Sequence, residues 1–257
     1  VFNRSDVLLR AQDRDVAERF TEVFGRRATL CLDQVPDRVE HDGDAIVVTS
    51  NGERHVFDEL LVSTGREPNT DLVDAEAGGL DVHDDGRIKV DHLMETSIDG
   101  VVALGDIAND WQLKHVANAE AKVVFANLAN PDAKVAMDYS AVPSAVFSHP
   151  QIATVGITEQ QAEKSGVNYR VGKRDYGGTA YGWALEDTTS FAKVLVDRDT
   201  DLILGAHIIG PQSATLIQPL IQAMQFGQTA TAVAEKVFYI HPALTEVVEN
   251  ALLDAAQ

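Results

Sequence analysis

The feature of this chain that most constrains its fold is a pair of apolar runs flanking a short acidic turn. Residues 191–196 and 202–209 enclose Asp197-Arg198-Asp199-Thr200-Asp201. Apolar runs rich in β-branched residues and separated by a polar turn are typical of antiparallel hairpins. The segment therefore predicts two adjacent strands around which the neighbouring residues must build a sheet.

The residues on both sides of this hairpin predict further strands and helices. A helix is expected from Thr158 through Ser165 to Gly166, because threonine suits an N-cap and glycine a C-cap. A sheet covered by helices is an α+β module, so the chain from about residue 139 onward should fold as one α+β domain. Its other predicted elements are strands at 145–148 and 152–156 and helices at 213–226 and 231–237.

The N-terminal region shows a helix followed by a hairpin. Apolar residues at helical spacing predict an amphipathic helix over residues 13–24. Residues 45–50 and 53–57 flank Asn51-Gly52, a pair that favours a type I′ hairpin turn. A short buried strand is then predicted at 60–63, ahead of Thr64-Gly65.

The middle of the chain is turn-rich and acidic between residues 70 and 100, with one strand predicted at 87–90. A buried strand at 101–104 is expected to deliver Gly105-Asp106 at its end, where a glycine lets a ligand approach and a carboxylate can accept from hydroxyl groups. A helix is predicted to follow from Gln112 to about Leu128. Its expected apolar side comprises Val116, Val123, Val124 and Leu128.

The charge balance excludes several classes of partner. The chain has 40 acidic against 21 basic residues and a formal net charge of -19. Nucleic acids and anionic membranes would repel such a surface, so neither is expected as a partner. No apolar run is long enough to span a bilayer and no signal-peptide pattern is present, which predicts a cytoplasmic protein. The excess of acid also suggests adaptation to high salt, where screening relieves self-repulsion.

Cysteine usage excludes internal redox chemistry. Cys31 is the only cysteine, so the chain cannot form an internal disulfide, a dithiol pair or a thiolate zinc site. We expect no metal site, and we expect Cys31 to be a buried apolar residue rather than a reactive thiol.

The most informative polar residue is His241 in His241-Pro242-Ala243-Leu244-Thr245-Glu246. Proline suits the first position of a helix, which would hold the imidazole just outside a final helix. Glu246, about one turn inside, could accept a proton from one ring nitrogen and leave the other nitrogen available for proton transfer. The alternative interpretation is that His241 substitutes for an N-cap and Glu246 is solvated.

Taken together, several motifs resemble the C-terminal half of the flavin-dependent pyridine-nucleotide disulfide oxidoreductases. The resemblance implies partial nucleotide-binding, Rossmann-like α/β domains followed by an α+β dimerisation domain. It divides the chain into the second half of an NAD(P)-binding domain at 1–70, the C-terminal part of an FAD-binding domain at 71–138 and the dimerisation domain at 139–257. The motifs are Ser63-Thr64-Gly65-Arg66-Glu67-Pro68-Asn69, residues 96–106 ending in Gly105-Asp106, residues 147–159 beginning Phe147-Ser148-His149-Pro150, and the His241 segment.

The resemblance also implies cofactor-binding residues. Asp106 would bind the ribitol of FAD, and the start of the following helix would face the flavin, where its amide hydrogens can stabilise negative charge. Arg4, Arg10 and Gly65 would bind NADPH, or NADH. The alternatives are that Arg4 and Arg10 are solvated loop residues, that Asp106 is a turn or capping residue, and that His115 is a polar packing residue. The expected FAD contacts at the helix start are Gln112, Leu113, Lys114, His115 and Ala117.

The implied activity is reduction of a small disulfide within a homodimer. Electrons would pass from NADPH to FAD and then to a dithiol, and His241 with Glu246 would act as acid/base in the partner subunit's active site. Residues 175–187, 239–244 and 112–118 resemble the mycothione reductase branch more than dihydrolipoamide dehydrogenase. The disulfide of γ-glutamylcysteine and dihydrolipoamide are the alternative substrates.

Two of the family's motifs are missing from the sequence. It has no Gly-x-Gly-x-x-Gly and no Cys-x-x-x-x-Cys, so this polypeptide alone cannot relay electrons from a flavin to a disulfide. We therefore interpret the chain as a fragment of the complete enzyme, the alternative being a naturally shortened relative. A non-enzymatic alternative is that residues from about 140 onward form an isolated dimerisation module.

Overall fold

The computed structural model describes residues 1–256 and divides into two compact units. One unit combines residues 1–60 with the chain from Ser140 onward, and the other spans Leu61–Tyr139. The predicted division into nucleotide-binding and dimerisation domains, with the latter starting at residue 139, stays a prediction, as does the division of the nucleotide-binding part at residue 70. The mixed α/β architecture confirms the predicted fold class.

The elements, in chain order, are as follows. The helices are α1 Arg14–Gly25, α2 Lys114–Ala129, α3 Glu159–Ser165, α4 Ala180–Ala184, α5 Ser213–Leu216, α6 Gln218–Gln225, α7 Ala230–Lys236 and α8 Thr245–Ala255. The strands are β1 Arg38–Asp42, β2 Ala45–Ser50, β3 Glu53–Phe57, β4 Pro143–Val146, β5 Ile152–Gly156, β6 Tyr169–Asp175, β7 Phe191–Asp197 and β8 Ile203–Ile209. Short 3-10 turns occur at Asp71–Val73, Gly105–Ile107 and Tyr176–Gly178.

The first unit is built on an antiparallel five-stranded sheet in the order β4-β5-β8-β7-β6. The predicted hairpin of β7 and β8 lies at its centre, and both strands are almost entirely buried. Helix α8 lies against β6, where Gly172 allows the two backbones to approach: a Cβ there would lie 1.9 Å from the Ala251 carbonyl oxygen. The position of α8 is therefore set by close packing onto the sheet.

A smaller sheet, β1-β2-β3, contains the predicted Asn51-Gly52 hairpin. Both turn residues have positive φ, 50° and 80°, as a type I′ turn requires. The additional strand β1 escaped the sequence analysis because its charged residues do not alternate with apolar ones. Phe2, before α1, and Cys31, after it, form a parallel bridge. Cys31 is only half-buried there and not fully buried as predicted.

Helix α1 is held on the large sheet by apolar packing and by a buried ion-pair cluster. Val16 and Phe20 pack with Phe191, while Lys193, which is 1% exposed, donates to Asp13 Oδ1 at 2.8 Å and to Glu159 Oε2 at 2.6 Å. Asp13 also accepts from the Asp15 and Glu159 backbone amides. The single ammonium therefore joins the start of α1, the start of α3 and strand β7.

Three predicted strands are wrong. Residues 60–63 are irregular and Leu61 is 89% exposed, and within residues 1–256 no strand pairs with this segment. Residues 87–90 contribute only the isolated bridge of Ile88 to Val82, and residues 101–104 only that of Val102 to Glu95. Apolar composition alone led to these predictions, whereas a strand also requires a partner for its backbone hydrogen bonds.

Two helix predictions also need correction. The helix predicted over 213–226 is divided into α5 and α6 at Ile217. The predicted apolar side of α2 is partly wrong. Leu128 is 70% exposed, and the buried side of the helix includes Glu120, which is fully buried. Val116 and Val124 do lie on the buried side.

We predict that Lys193→Met destabilises the first unit by about 3–5 kcal/mol, because removing the ammonium leaves the buried carboxylate of Asp13 without its counter-charge. Denaturant unfolding provides the measurement. Lys173→Met is the matched control: this lysine is exposed and pairs with Asp15 at 2.8 Å, so its loss should cost less than about 1 kcal/mol. Equal destabilisation by the two variants would contradict the assignment of the cluster's stability to Lys193.

Candidate active site and flavin site

His241 lies in a tight turn that leads into α8. The His241–Pro242 peptide bond is cis, and α8 begins only at Thr245. The prediction that Pro242 occupies the first helical position is therefore wrong. The turn is closed instead by Glu246, whose backbone amide donates to the Ala243 carbonyl oxygen and whose Oε2 accepts from the Ala243 amide at 3.2 Å.

The second carboxylate oxygen of Glu246 contacts the imidazole. Nδ1 of His241 lies 2.8 Å from Glu246 Oε1, and the histidine side chain is 69% exposed while that of Glu246 is 17% exposed. The hydrogen bond from His241 holds the pKa of Glu246 below its ordinary value, although burial opposes it. Since an ionised carboxylate only accepts hydrogen bonds, Nδ1 carries the proton and Nε2 is the ring nitrogen left for chemistry.

An open groove of about 570 Å³ lies beside the imidazole. Its wall is the loop that connects β6 to α4, fixed from below by fully buried Tyr176 and by Gly182, whose added Cβ would lie 1.9 Å from the Tyr176 carbonyl oxygen. Tyr181 and Trp183 lie on α4, which forms the rest of the wall, and Trp183 is 75% exposed. The stretch at 175–187 thus lies next to His241. The groove is lined by Gly177, Gly178, Thr179, Ala180, Tyr181, Trp183, Ala184, His241 and Pro242.

A second candidate site lies within the Leu61–Tyr139 unit, around Asp106. Gly105 has a positive φ of 76°, and a Cβ there would lie 3.3 Å from the Ala117 side chain, so glycine is required for the loop to lie against the start of α2. Asp106 is exposed, and its carboxylate lies 3.6 Å from Arg66 NH1. The loop therefore presents one carboxylate to solvent beside a backbone that a ligand can approach.

The N-terminus of α2 borders this loop. Gln112 has a φ of 50° and Leu113 is the N-cap, with no side-chain cap hydrogen bond. Lys114 and His115 occupy the first helical positions, and Lys114 Nζ donates to Asn118 Oδ1 at 2.8 Å. A helix N-terminus without a side-chain acceptor has amide hydrogens available for an anionic ligand, so the loop and this helix start form one candidate binding surface.

Glu120 is a site residue that the sequence analysis missed. It is fully buried on α2, and its Oε2 accepts from the Gly105 amide at 2.6 Å. The available signal was its position four residues after Val116 and four before Val124, which places a carboxylate on the buried side of the helix.

The three residues expected to bind the nicotinamide nucleotide are all exposed. Arg4 and Arg10 are exposed on the irregular segment before α1, and Gly65 is exposed in the Leu61–Tyr139 unit. Within residues 1–256 neither arginine has a carboxylate at ion-pair distance. Both guanidinium groups are therefore available to bind a phosphate.

Residues 1–256, which the structure describes, show neither a metal site nor a membrane-spanning helix. No group of three or more histidine, cysteine or acidic side chains has the geometry of a metal site. None of the helices is long and apolar enough to cross a membrane.

Comparison with known families identifies the class. Residues 1–121 match the pyridine nucleotide-disulphide oxidoreductase model, and residues 142–252 match the dimerisation domain of the same enzymes. The chain belongs to the pyridine nucleotide-disulphide oxidoreductases, flavoprotein disulfide reductases that use FAD and NAD(P)H. The predicted family is thereby confirmed.

Individual relatives place the chain within this family. It is 47% identical to mycothione reductase of Mycobacterium tuberculosis over 255 residues, which cover 97% of this chain and 55% of that enzyme. It is 37% identical over 213 residues to dihydrolipoyl dehydrogenase of Halobacterium salinarum, covering 81% of this chain and 44% of that enzyme. The chain thus spans about half the length of these relatives.

A solved structure shares the fold. The HOCl-induced flavoprotein disulfide reductase RclA from Escherichia coli superposes with a TM-score of 0.88 at 25% sequence identity, over 99% of this chain and 57% of that one. The predicted fold class is confirmed by this likeness.

We predict that His241→Ala raises the pKa of Glu246 toward its ordinary value, because the mutation removes the hydrogen bond that lowers it. The contact therefore stabilises the fold above the unfolded pKa of the carboxyl group, and this stability is lost as the pH falls through the lower folded value. Carboxyl-carbon NMR titration provides the measurement. An unchanged Glu246 pKa in His241→Ala would contradict the pairing. The control is Asn250→Ala, which removes a donor to the Glu246 backbone carbonyl and leaves the contact with His241 in place.

Proposed function

We propose that this chain is part of an FAD-dependent NAD(P)H:disulfide oxidoreductase in which His241 and Glu246 form the acid/base of the disulfide step. The observation that carries the proposal is the 2.8 Å contact of His241 Nδ1 with Glu246 Oε1, which leaves Nε2 of a 69% exposed side chain beside an open groove. A histidine held in one tautomer with its other nitrogen accessible is suited to proton transfer.

FAD would be held by the unit that carries Asp106. We propose that the Asp106 carboxylate accepts hydrogen bonds from the ribitol hydroxyls, while Gln112, Leu113, Lys114, His115 and Ala117 border the flavin at the start of α2. The fit is supported by Gly105, where a Cβ would meet Ala117 at 3.3 Å, and by the helix start without a side-chain cap. Bound FAD would supply the transfer of electrons from a nicotinamide to a dithiol.

We propose NADPH as the preferred nicotinamide nucleotide, with NADH as the alternative. Arg4 and Arg10 would bind the additional phosphate, because a guanidinium fork can contact two phosphate oxygens at once, and Gly65 would allow close approach of the nucleotide. Both arginines are exposed in this structure.

The proposed assembly is a homodimer in which His241 serves the dithiol of the partner subunit. The matched dimerisation domain supports it, as does a run of exposed apolar side chains immediately before His241: Val237, Phe238 and Ile240 are 53%, 102% and 76% exposed. Apolar surface of this kind is typical of protein interfaces. An interface that covers these side chains would bring the imidazole close to the second subunit.

The proposed chemistry at His241 is a proton relay during thiol–disulfide exchange. Nε2 would take the proton of the attacking thiol, which makes the more nucleophilic thiolate, and return it to the sulfur that leaves. The imidazolium formed between these events would be stabilised by the ionised Glu246 at Nδ1. The substrate proposed is a low-molecular-weight disulfide of the mycothione type, supported by 47% identity to that reductase, with bis-γ-glutamylcystine and dihydrolipoamide as alternatives.

We predict that His241→Ala in the complete enzyme slows disulfide turnover by about 10²- to 10⁴-fold, the usual contribution of a positioned acid/base. Reduction of FAD by NADPH should be largely unchanged, because His241 acts after that step. Stopped-flow measurement of flavin reduction and steady-state disulfide turnover separate the two half-reactions.

The matched control for this experiment is His149→Ala. His149 is the other histidine in a cis His-Pro pair, and it is exposed, so its loss should leave both half-reactions intact. Equal loss of flavin reduction and disulfide turnover in His241→Ala would refute the assigned role. A colourless protein that dimerises but binds no FAD would instead support the isolated dimerisation module.

A further inference from the structure

The buried carboxylate of Glu120 is the centre of a hydrogen-bond network within the Leu61–Tyr139 unit. Oε2 accepts from the Gly105 amide at 2.6 Å, and Asn109 Nδ2 donates to Oε1 and Oε2 at 2.8 and 2.9 Å. The hydroxyl of Tyr139 donates to Oε1 at 2.6 Å. Each of these donors is a neutral group, so Glu120 is held by hydrogen bonds and not by an ion pair.

A carboxylate in this position is costly for folding alone. Glu120 is 0% exposed, whereas Val116 and Val124 on the same side of α2 are apolar. Burying an ionised group away from a counter-charge costs several kcal/mol, and an apolar side chain would fill the same stripe without that cost. The reason for a carboxylate here must therefore lie in the segments that its hydrogen bonds hold in place.

The network holds both parts of the candidate flavin site. One branch ends at the Gly105 amide, directly before Asp106. The other passes through Asn109, whose Oδ1 accepts from the Trp111 amide at 2.9 Å and the Gln112 amide at 3.2 Å. Gln112 is the positive-φ residue that leads into the N-terminus of α2. One buried side chain thus connects the carboxylate loop to the segment that sets the helix start.

We propose that Glu120 is a positioning residue for FAD, which fixes the Asp106 loop and the α2 N-terminus in their mutual arrangement by accepting hydrogen bonds. The inference rests on the proposed binding of FAD to these two segments. Tyr139 differs from the other donors because it lies outside the segment from Gly105 to Gln112 that the network holds. Its hydroxyl pKa is raised by burial and by Glu120, so it stays a donor at neutral pH.

The positioning role of Glu120 can be tested by replacing its carboxylate with a group that accepts fewer hydrogen bonds but has a similar size. Glu120→Met keeps a similar volume but accepts nothing from Gly105 or Asn109. In Glu120→Gln, an amide oxygen at the Oε2 position can accept from both Gly105 and Asn109, but an amide NH₂ at the Oε1 position faces another donor, Asn109 Nδ2, which lies 2.8 Å from Oε1. Tyr139→Phe removes one hydrogen bond of Glu120 and leaves the loop contacts intact.

We predict that Glu120→Met weakens FAD binding by the complete enzyme by about ten-fold or more, since buried donors at Gly105 and Asn109 lose their acceptor. Glu120→Gln should bind FAD more tightly than Glu120→Met, because it keeps an acceptor for the Gly105 amide, and Tyr139→Phe should keep an FAD affinity within about three-fold of wild type. The measurements are the FAD dissociation constant, the visible circular dichroism of the bound flavin, and the unfolding midpoint of the FAD-free protein.

Each outcome bears on the proposal. It is supported if Glu120→Met folds in the absence of FAD but loses FAD affinity and alters the flavin signal, whereas Tyr139→Phe keeps both. Wild-type FAD affinity in a folded Glu120→Met protein overturns it. So does a Tyr139→Phe protein that loses as much FAD affinity as Glu120→Met, because the loss would then not depend on the contacts with the loop.

Two further variants keep the test decisive. Should Glu120→Met fail to fold, Asn109→Ala cuts the branch to Trp111 and Gln112, and an unchanged FAD affinity in that variant would overturn the proposal. Asp106→Ala tests the proposed flavin site itself. If Asp106→Ala loses FAD while Glu120→Met does not, only the positioning role fails, whereas a wild-type enzyme that binds no FAD removes the proposed function as well.

Discussion

The close approach of α8 to strand β6 is the constraint on which the candidate active site depends. Gly172 has no side chain, so the helix backbone at Ala251 and Ala255 lies where a Cβ would collide. Because Val247, Val248, Ala251 and Leu252 are fully or almost fully buried against the sheet, the helix has little freedom to rotate or slide. Its first turn carries Glu246, and the sheet therefore fixes the carboxylate that orients His241.

Two glutamates in this chain perform similar physical tasks in different surroundings. Glu246 is near the surface, and it accepts from an imidazole and a backbone amide. Glu120 is fully buried, and it accepts from an amide, a side-chain amide and a phenol. A carboxylate can accept at two oxygens in one plane, which allows a single residue to hold two segments. In both cases the glutamate positions the groups that we propose to contact substrate or cofactor.

The Lys193 cluster explains how α1 joins the large sheet in the first unit. Strand β7 is almost wholly apolar, yet it carries a lysine that is 1% exposed and is surrounded by Asp13, Asp15 and Glu159. Breaking such a network by removing its one cation is costly, whereas forming it adds little to the free energy of unfolding compared with apolar contacts. The cluster therefore joins the starts of α1 and α3 to strand β7 through contacts that need one cation at one position.

Local sequence patterns determined much of this protein. The hairpins at Asn51-Gly52 and at residues 197–201, the capped α3 and the start of α2 follow from periodicity, turn chemistry and capping, which act between residues close in the chain. Tertiary structure alone decided which apolar segments become strands, since residues 60–63 and 101–104 lack the neighbours that a strand requires. It also decided that Glu120 is buried, that Pro242 precedes α8 by a turn, and that Trp183 lies beside His241, because each depends on contacts between segments far apart in sequence.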